Sequence, residues 1–291
     1  MAKKKSKRGK KKFGLYIALL LTLVLFASIA LALYFIFLRT NPTVKPVSQY
    51  GQTPPAEIDS KPYKTPFKPK IAIIIDDIGN QKKLAIALMN LDLNLSFSVM
   101  PFRPFSRELA LKAAALHHDV LLHLPMEPHN MRRWNPGPGA LLLSMSQSEM
   151  GRILDQDLRE LPMVIGVNNH MGSKFTENIP AMTYVLKILK ARHLIWLDSL
   201  TSPKSVGFRL GRKLGLKTAR RDVFLDNTQS AAAITAQLNK LIKLADRRGY
   251  AIGIAHPHHS TLKALRLNLE RLKQQVILVG LQQLIAEKYT L

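Results

Sequence analysis

The sequence predicts an α/β protein: a compact, irregular (β/α) barrel preceded by one transmembrane helix. Three observations predict it. Strand and helix signals alternate over residues 70–291. The carboxylates and imidazoles of that region collect where the strands end. A single long apolar run without charge stands near the amino terminus.

Residues 1–12 carry eight Lys/Arg and no acid, a basic tail. Residues 13–38 follow with no charged side chain. A helix of that length reaches roughly 39 Å at ~1.5 Å per residue, enough to cross a ~30 Å hydrocarbon core with tilt. The basic flank belongs on the cytoplasmic side, so the remainder is expected outside the inner (cytoplasmic) membrane, in a periplasmic or extracytoplasmic space. Ala30-Leu31-Ala32 has the small-x-small pattern of a signal-peptide cleavage site. It lies inside an apolar run longer than such peptides use, so an uncleaved single-pass anchor is expected. Residues 39–69 hold seven prolines and little apolar periodicity, a semi-extended linker. The folded body is expected over 70–291.

Within the body, strands are predicted at 71–75, 95–99, 120–124, 164–168, 194–197, 223–225, 251–255 and 276–279. Helices are predicted at 81–90, 106–116, 147–161, 179–192, 231–248 and 262–274. Ser146 with Glu149 three residues on forms a capping-box pattern at the start of the third helix. Residues 130–145, with Pro136-Gly137-Pro138-Gly139, read as a long loop over one end, and loops of that length are often functional.

An apolar content of 47% supplies a core. The absence of cysteine excludes disulfides. Of the +24 net charge, the tail accounts for +8 and the rest of the chain for +16. That excess suggests an acidic surface or polymer as neighbour. A nucleic-acid role is disfavoured, because the body would lie across a membrane from most nucleic acid.

The chemistry-bearing residues sit at the carboxyl ends of predicted strands, where α/β folds place their sites. Asp76 and Asp77 end the first strand, and two adjacent carboxylates call for a cation, a proton or a strong hydrogen-bond shell. His123 ends the third strand, His170 follows the fourth, Asp198 ends the fifth, and His256 ends the strand at 251–255. A carboxylate with imidazoles from separate strands suits Zn²⁺ with one position left open for water. A second carboxylate would serve as base and a further histidine as acid. No phosphate-binding loop and no G-x-S-x-G nucleophile elbow is present.

Five segments occur in order: Ile74-Ile75-Asp76-Asp77-Ile78-Gly79, His123-Leu124-Pro125-Met126-Glu127-Pro128, Asn168-Asn169-His170-Met171-Gly172-Ser173, Trp196-Leu197-Asp198-Ser199 and Gly253-Ile254-Ala255-His256-Pro257. Together they resemble the divergent polysaccharide deacetylases, a distant branch of the NodB-homology carbohydrate esterases, over essentially the whole body. The resemblance implies a deformed (β/α) barrel and metal-dependent removal of N- or O-acetyl groups from a polysaccharide. It implies Asp76 as base, Asp77 as a ligand of a divalent metal such as Zn²⁺, and His256 as acid. The wider family carries its two metal histidines as H-x3-H, whereas here His123 is followed four residues later by Glu127. His170 is expected to supply the missing ligand, with Glu127 as the competitor. Asp198 is expected to orient His256, and the arginine usual in the third motif is not evident. The expected function is a membrane-anchored, metal-dependent deacetylase of an envelope or exported polysaccharide. The alternative is an inactive glycan- or protein-binding envelope module on the same fold.

Overall fold

The computed structural model describes residues 22, 25–31, 33 and 68–289. The tail over 1–12, most of the expected anchor over 13–38 and nearly all of the expected linker over 39–69 lie outside these residues. The chain divides into two units, Met1–Ser60 and Lys61–Leu291. In the first, residues 22, 25–31 and 33 are helical. Among the described residues, no helix is long and apolar enough to cross a membrane.

The second unit alternates strands and helices: β1 (Lys70–Ile78), α1 (Lys82–Met89), β2 (Ser96–Val99), α2 (Ser106–Ala115), β3 (Asp119–Met126), α3 (Gln147–Glu160), β4 (Gly166–Met171), α4 (Ile179–Ala191), β5 (Ile195–Asp198), α5 (Gly207–Lys213), β6 (Thr218–Arg220), β7 (Val223–Phe224), α6 (Ala231–Arg248), β8 (Tyr250–Ala255), α7 (His259–Leu267), α8 (Leu269–Gln275), β9 (Ile277–Leu278) and α9 (Leu281–Tyr289). All eight predicted strands are present; β6, α5 and α9 are additional. The helix expected over 262–274 is two helices. Asn268 breaks it by donating its side-chain amide to Thr235 Oγ1 and the Ala264 carbonyl, the competition with backbone bonding that disfavours Asn inside helices. The capping box at Ser146 forms as expected.

The strands run parallel in the order β6-β5-β4-β3-β2-β1-β8-β7, and β9 pairs with the start of β1. Only Arg221 and Asp222 separate β6, which pairs with β5, from β7, which pairs with β8. One nearly continuous segment thus switches partners from one edge of the sheet to the other. The expected deformed barrel is found as a curled, parallel half-barrel.

Strand side chains alternate between two faces, and the two faces have different neighbours here. Ile71, Ile73 and Ile75 of β1 belong to the core shared with the helices, whereas Ala72 and Ile74 face inward with Leu121, Ile195, Leu197, Ala219, Ile252 and Ile254. Leu281, Leu284 and Ile285 of α9 join this inner cluster. The start of α9 is fixed to the amino-terminal ends of two strands, with Leu281 N–H donating to Ser96 Oγ and Gln282 N–H to Asp119 Oδ2. The interior therefore has an apolar floor, in which each buried Leu or Ile contributes about 1.5–3 kcal/mol. Two residues further along each inner row the character changes. Ile74 is followed by Asp76, Leu121 by His123, Ile254 by His256 and Phe224 by Asp226, while β4 contributes Asn168 and His170.

Asp77 should face the helices by this alternation. The pairing of β1 with β2 shifts between Ile75 and Ile78, and Asp77 takes a left-handed backbone with φ 57°. That irregularity turns Asp77 towards the same side as Asp76. The Asp pair thus lies inside β1 rather than after it. Met171 (φ 53°) and Leu200 (φ 50°) are likewise left-handed at the exits of β4 and β5. Such conformations cost on the order of 1–3 kcal/mol in non-glycine residues and gather at functional sites.

Candidate active site

Asp77, His123 and His170 meet at one point. Asp77 Oδ1 lies 2.9 Å from His170 Nδ1 and 3.2 Å from His123 Nε2. The two ring nitrogens are 3.2 Å apart. Asp77 has 39% of its side chain exposed, yet its Oδ1 is shielded from solvent and accepts no hydrogen bond. His123 Nδ1 lies 3.0 Å from Asn168 Oδ1. A proton on Nδ1 serves that bond and leaves the Nε2 lone pair facing the carboxylate. Two ring nitrogens and an unpaired carboxylate oxygen thus converge on one point, a set of ligand atoms that a cation can bridge. Ligands ~2.0–2.1 Å from a tetrahedral ion stand roughly 3.3 Å apart, close to the three separations seen. The residues present therefore fit a divalent metal such as Zn²⁺.

The charges agree with this. Burial alone would raise the Asp77 pKa, but its contacts to His123 and His170 outweigh burial and hold it far below the carboxylate range. Burial lowers the His170 pKa, helped by the charge of His123 and opposed by Asp77, which keeps a ring lone pair available. Burial acts to lower His123 as well, but Asp76 and Asp77 raise it overall. Without an ion, a second proton on this ring takes the cation's place.

Asp76 is buried directly beside the cluster. Its Oδ1 accepts from Asn168 Nδ2 at 2.9 Å. Asn168 is itself fixed from several sides: its Oδ1 accepts from Ser98 Oγ, and its Nδ2 also donates to Ser199 Oγ. One amide thereby sets both the His123 tautomer and the Asp76 orientation. Burial raises the Asp76 pKa, against the lowering effect of His123, His256 and the Asn168 bond.

His256 is held by Asp226, not by Asp198. Its Nδ1 lies 2.9 Å from Asp226 Oδ1, and its backbone N–H donates to Asp226 Oδ2, which also accepts from Thr261 Oγ1. Burial would lower the imidazole pKa, but Asp226 first, then Asp76 and Asp77, push it up to about 9. Asp198 instead organises the β5–α5 connection, accepting from Leu200 N–H, Ser205 Oγ and Phe208 N–H. The physical reason is alternation: Asp198 follows Trp196 on the helix-facing row of β5, and Asp226 follows Phe224 on the inner row. Glu127, the rival ligand, is occupied elsewhere, with Oε1 on Lys174 and Oε2 accepting Leu143 N–H at 2.6 Å.

Three residues of the site went unrecognised in the sequence: Asp226, Asn168 and Arg221. Counting by twos along the strands finds the first two. Arg221 leaves no such trace, because it lies in the two-residue switch between β6 and β7. Its guanidinium donates to the Ser199 and Leu200 carbonyls and stacks 3.9 Å from the Phe224 ring, which in turn stacks on His256. Burial lowers its pKa, while the charges of Asp198, Asp76 and Asp222 raise it.

Comparison with known proteins agrees with the segments that first suggested a family. The model of the divergent polysaccharide deacetylase family matches residues 73–285. The uncharacterized protein YibQ of Escherichia coli (strain K12) is 36% identical over 218 residues, covering 75% of this chain and 68% of that protein. An uncharacterized protein of Haemophilus influenzae is 33% identical over 215 residues, covering 74% of this chain and 76% of its own. Among solved structures, an uncharacterized protein of Agrobacterium tumefaciens C58 superposes with a TM-score of 0.72 at 23% identity, covering 77% of this chain and 92% of that one. This last likeness concerns the fold.

Proposed function

This chain belongs to the divergent polysaccharide deacetylase family, and from that premise we propose that it is a membrane-anchored, metal-dependent deacetylase of an envelope or exported polysaccharide. The observation that carries the reading is the orphaned, shielded Oδ1 of Asp77 facing two imidazole nitrogens, with Asp76 and His256 beside it. Asp77, His123 and His170 would hold the metal, Zn²⁺ in our reading. When bound, it supplies Lewis acidity, which activates water and polarises the acetyl carbonyl.

The rest follows from the chain's own residues. Asp76, fixed by Asn168, takes the proton of the attacking water. Asp226 accepts from His256 Nδ1, so a protonated His256 presents the hydrogen on Nε2 for donation. His256 gives that proton to the departing amine or hydroxyl as the acyl bond breaks, which leaves acetate and the free sugar group. Its raised pKa keeps the ring protonated at neutral pH. Arg221 and Phe224 brace the imidazole from its stacked face.

The apolar run over 13–38 and the basic tail over 1–12 support a single-pass anchor with the body outside the inner membrane. A reporter fused after Leu291 is expected to be active only outside the cytoplasm. Acetate release from a panel of acetylated glycans, with and without chelator, tests the chemistry. Release that chelator stops and Zn²⁺ restores upholds the reading. A metal-loaded chain that releases no acetate from any glycan assigns the groove to binding instead.

A further inference from the structure

Resting on the deacetylase reading of the site, we propose that the polymer it takes is anionic. Its carboxylate or phosphate groups are held by Arg132, Arg133 and Arg220, with Lys204, and a sugar face lies on Trp134.

The connection between β3 and α3 carries the first part of this surface. Its tip is an ordered turn: the Asn130 carbonyl accepts from the N–H groups of Arg133 and Trp134, and Asn130 Oδ1 accepts from Arg133 N–H. Arg132 and Arg133 are exposed, and Trp134 is 50% exposed with the Arg133 guanidinium 5.1 Å from its ring. An exposed indole beside a guanidinium suits a ligand with both an apolar face and a negative charge.

This tip is mounted on the active site. Gly79 lies two residues beyond Asp77, and a Cβ there would meet Arg103 Cβ at 2.8 Å. Gly137 lies three residues beyond Trp134, and a Cβ there would meet Arg103 Nη2 at 2.3 Å. Arg103 therefore spans from the turn after the Asp pair to the loop, and the positive φ of Gly79 (140°) and Gly137 (91°) favours glycine at both ends.

Charge at the carboxyl-terminal rim is one-sided. The acids in the connections leaving the strands are engaged inside the protein. Glu127 binds Lys174, Glu177 binds Ser202 and His129, Asp198 binds Ser205, and Asp226 binds His256. The cations are not so engaged. Arg132, Arg133 and Arg220 are exposed, and among the described residues no ion pair joins them to a carboxylate; Lys204 is exposed as well, with its charge acting on Glu177. Arg220 instead lies 5.3 Å from the Phe208 ring. The strands that lead to them, β3 for the loop of Arg132 and Arg133 and β6 for Arg220, stand three spacings or roughly 14 Å apart along the sheet, and Arg220 shares the helix-facing row of Asp198. Cations carried on separate strands suit an extended polymer with repeated negative charge better than a single small anion. Three of the four cations are arginines, whose planar fork matches carboxylate and phosphate alike.

The test uses the full chain and three acetylated oligosaccharides of equal length: neutral, carboxylate-bearing and phosphate-bearing. Acetate release is expected to have a kcat/KM about tenfold higher on an anionic oligomer than on the neutral one at low salt, and the gap is expected to shrink at high salt. The better anionic arm identifies the group. R132Q/R133Q is expected to lose about tenfold on that arm and to stay within about twofold on the neutral one. Equal rates on all three oligomers, or equal losses in the double variant, overturn the proposal. Binding of the labelled oligomers by fluorescence polarisation decides the case separately. If no acetate is released, the deacetylase reading fails; a salt-sensitive preference for anions that R132Q/R133Q abolishes still upholds the rim, and binding indifferent to charge overturns it.

Discussion

Two clusters of one carboxylate and two histidines lie at the same end of the sheet, and they are built in opposite ways. Asp77, His123 and His170 form one; Asp226, His256 and His258 form the other. In the first, the carboxylate oxygen nearest the rings accepts no hydrogen bond, and its backbone is left-handed. In the second, Asp226 accepts from a backbone N–H, a hydroxyl and an imidazole, and those bonds fix its position. His258 is set apart there, its Nε2 beside the Gln229 amide at 3.1 Å. The same residue types therefore support different chemistry. A carboxylate oxygen without a donor, facing two ring nitrogens, suits a cation. A carboxylate already satisfied suits a proton, because it fixes one tautomer and raises the imidazole pKa.

The largest expected effect separates the clusters by metal content. His170→Ala or Asp77→Asn should abolish stoichiometric zinc, read by elemental analysis after dialysis. Asp226→Asn and Glu127→Ala should retain it. Loss of an equivalent in Asp226→Asn would make the second cluster a metal site and erase the contrast. Retention in His170→Ala with loss in Glu127→Ala would move the ligand role to Glu127.

The next effect is on rate at constant metal content. Asp76→Asn and His256→Ala should each lower acetate release by ~10²–10⁴, the usual cost of a positioned base or acid. Asp226→Asn should leave zinc in place and shift the alkaline limb of the pH–rate profile downward. The sign follows from the acid role: His256 must be protonated, and Asp226 helps push its pKa up to about 9. A metal ion beside Asp77 offsets part of that rise, so the wild-type limb should fall somewhat below pH 9. Wild-type turnover in His256→Ala would end the proton-donor assignment.

Much of this site is written in alternation along strands. Ala72-Ile74-Asp76, Leu121-His123, Ile252-Ile254-His256 and Phe224-Asp226 each continue an inner row from apolar floor to polar rim. The same count places Asp198 on the outer row with Trp196, which is why chain position at a strand end misassigned it. Asp77 breaks the count, because the bulge and left-handed turn that redirect it depend on pairing with β2. β6 is three residues, Thr218-Ala219-Arg220, too short for a pattern, and its partner switch into β7 is a tertiary event. For that reason Arg221 leaves no sign in the sequence of its place against Phe224. α9 has the apolar spacing of a helix but follows a strand so closely that only the need to fill the barrel floor explains it.

A smaller effect concerns stability of the metal-free chain. His256 has a folded pKa of about 9, above the ordinary histidine value. Its contribution is thus fully present below ~6.5 and is lost as pH rises through about 9, on the order of 3 kcal/mol. Urea midpoints measured at pH 6 and pH 10 should show this loss in the wild type and much less of it in Asp226→Asn. An equal pH dependence in both would mean that Asp226 does not carry the contact.

The smallest effect tests what a buried carboxylate does with neither cation nor imidazole. Asp157 of α3 is fully buried, and neither of its oxygens has a hydrogen-bond partner. It packs against the loop over the site, where a Cβ on Gly139 would meet Asp157 Oδ1 at 2.4 Å. Burial alone pushes its pKa up to about 8. The sign is opposite to that of Asp77: a raised carboxyl pKa leaves stability intact below ~4, and that stability is lost as pH rises through about 8. Asp157→Asn removes the ionisation and keeps the shape. It should fall somewhat below the wild type near pH 4, because an unpartnered amide is also costly to bury, and exceed it at pH 8, read from urea midpoints. A variant that is equally destabilised at both pH values would show that Asp157 is paired in solution, and the contrast between satisfied and orphaned carboxylates would then lose its control.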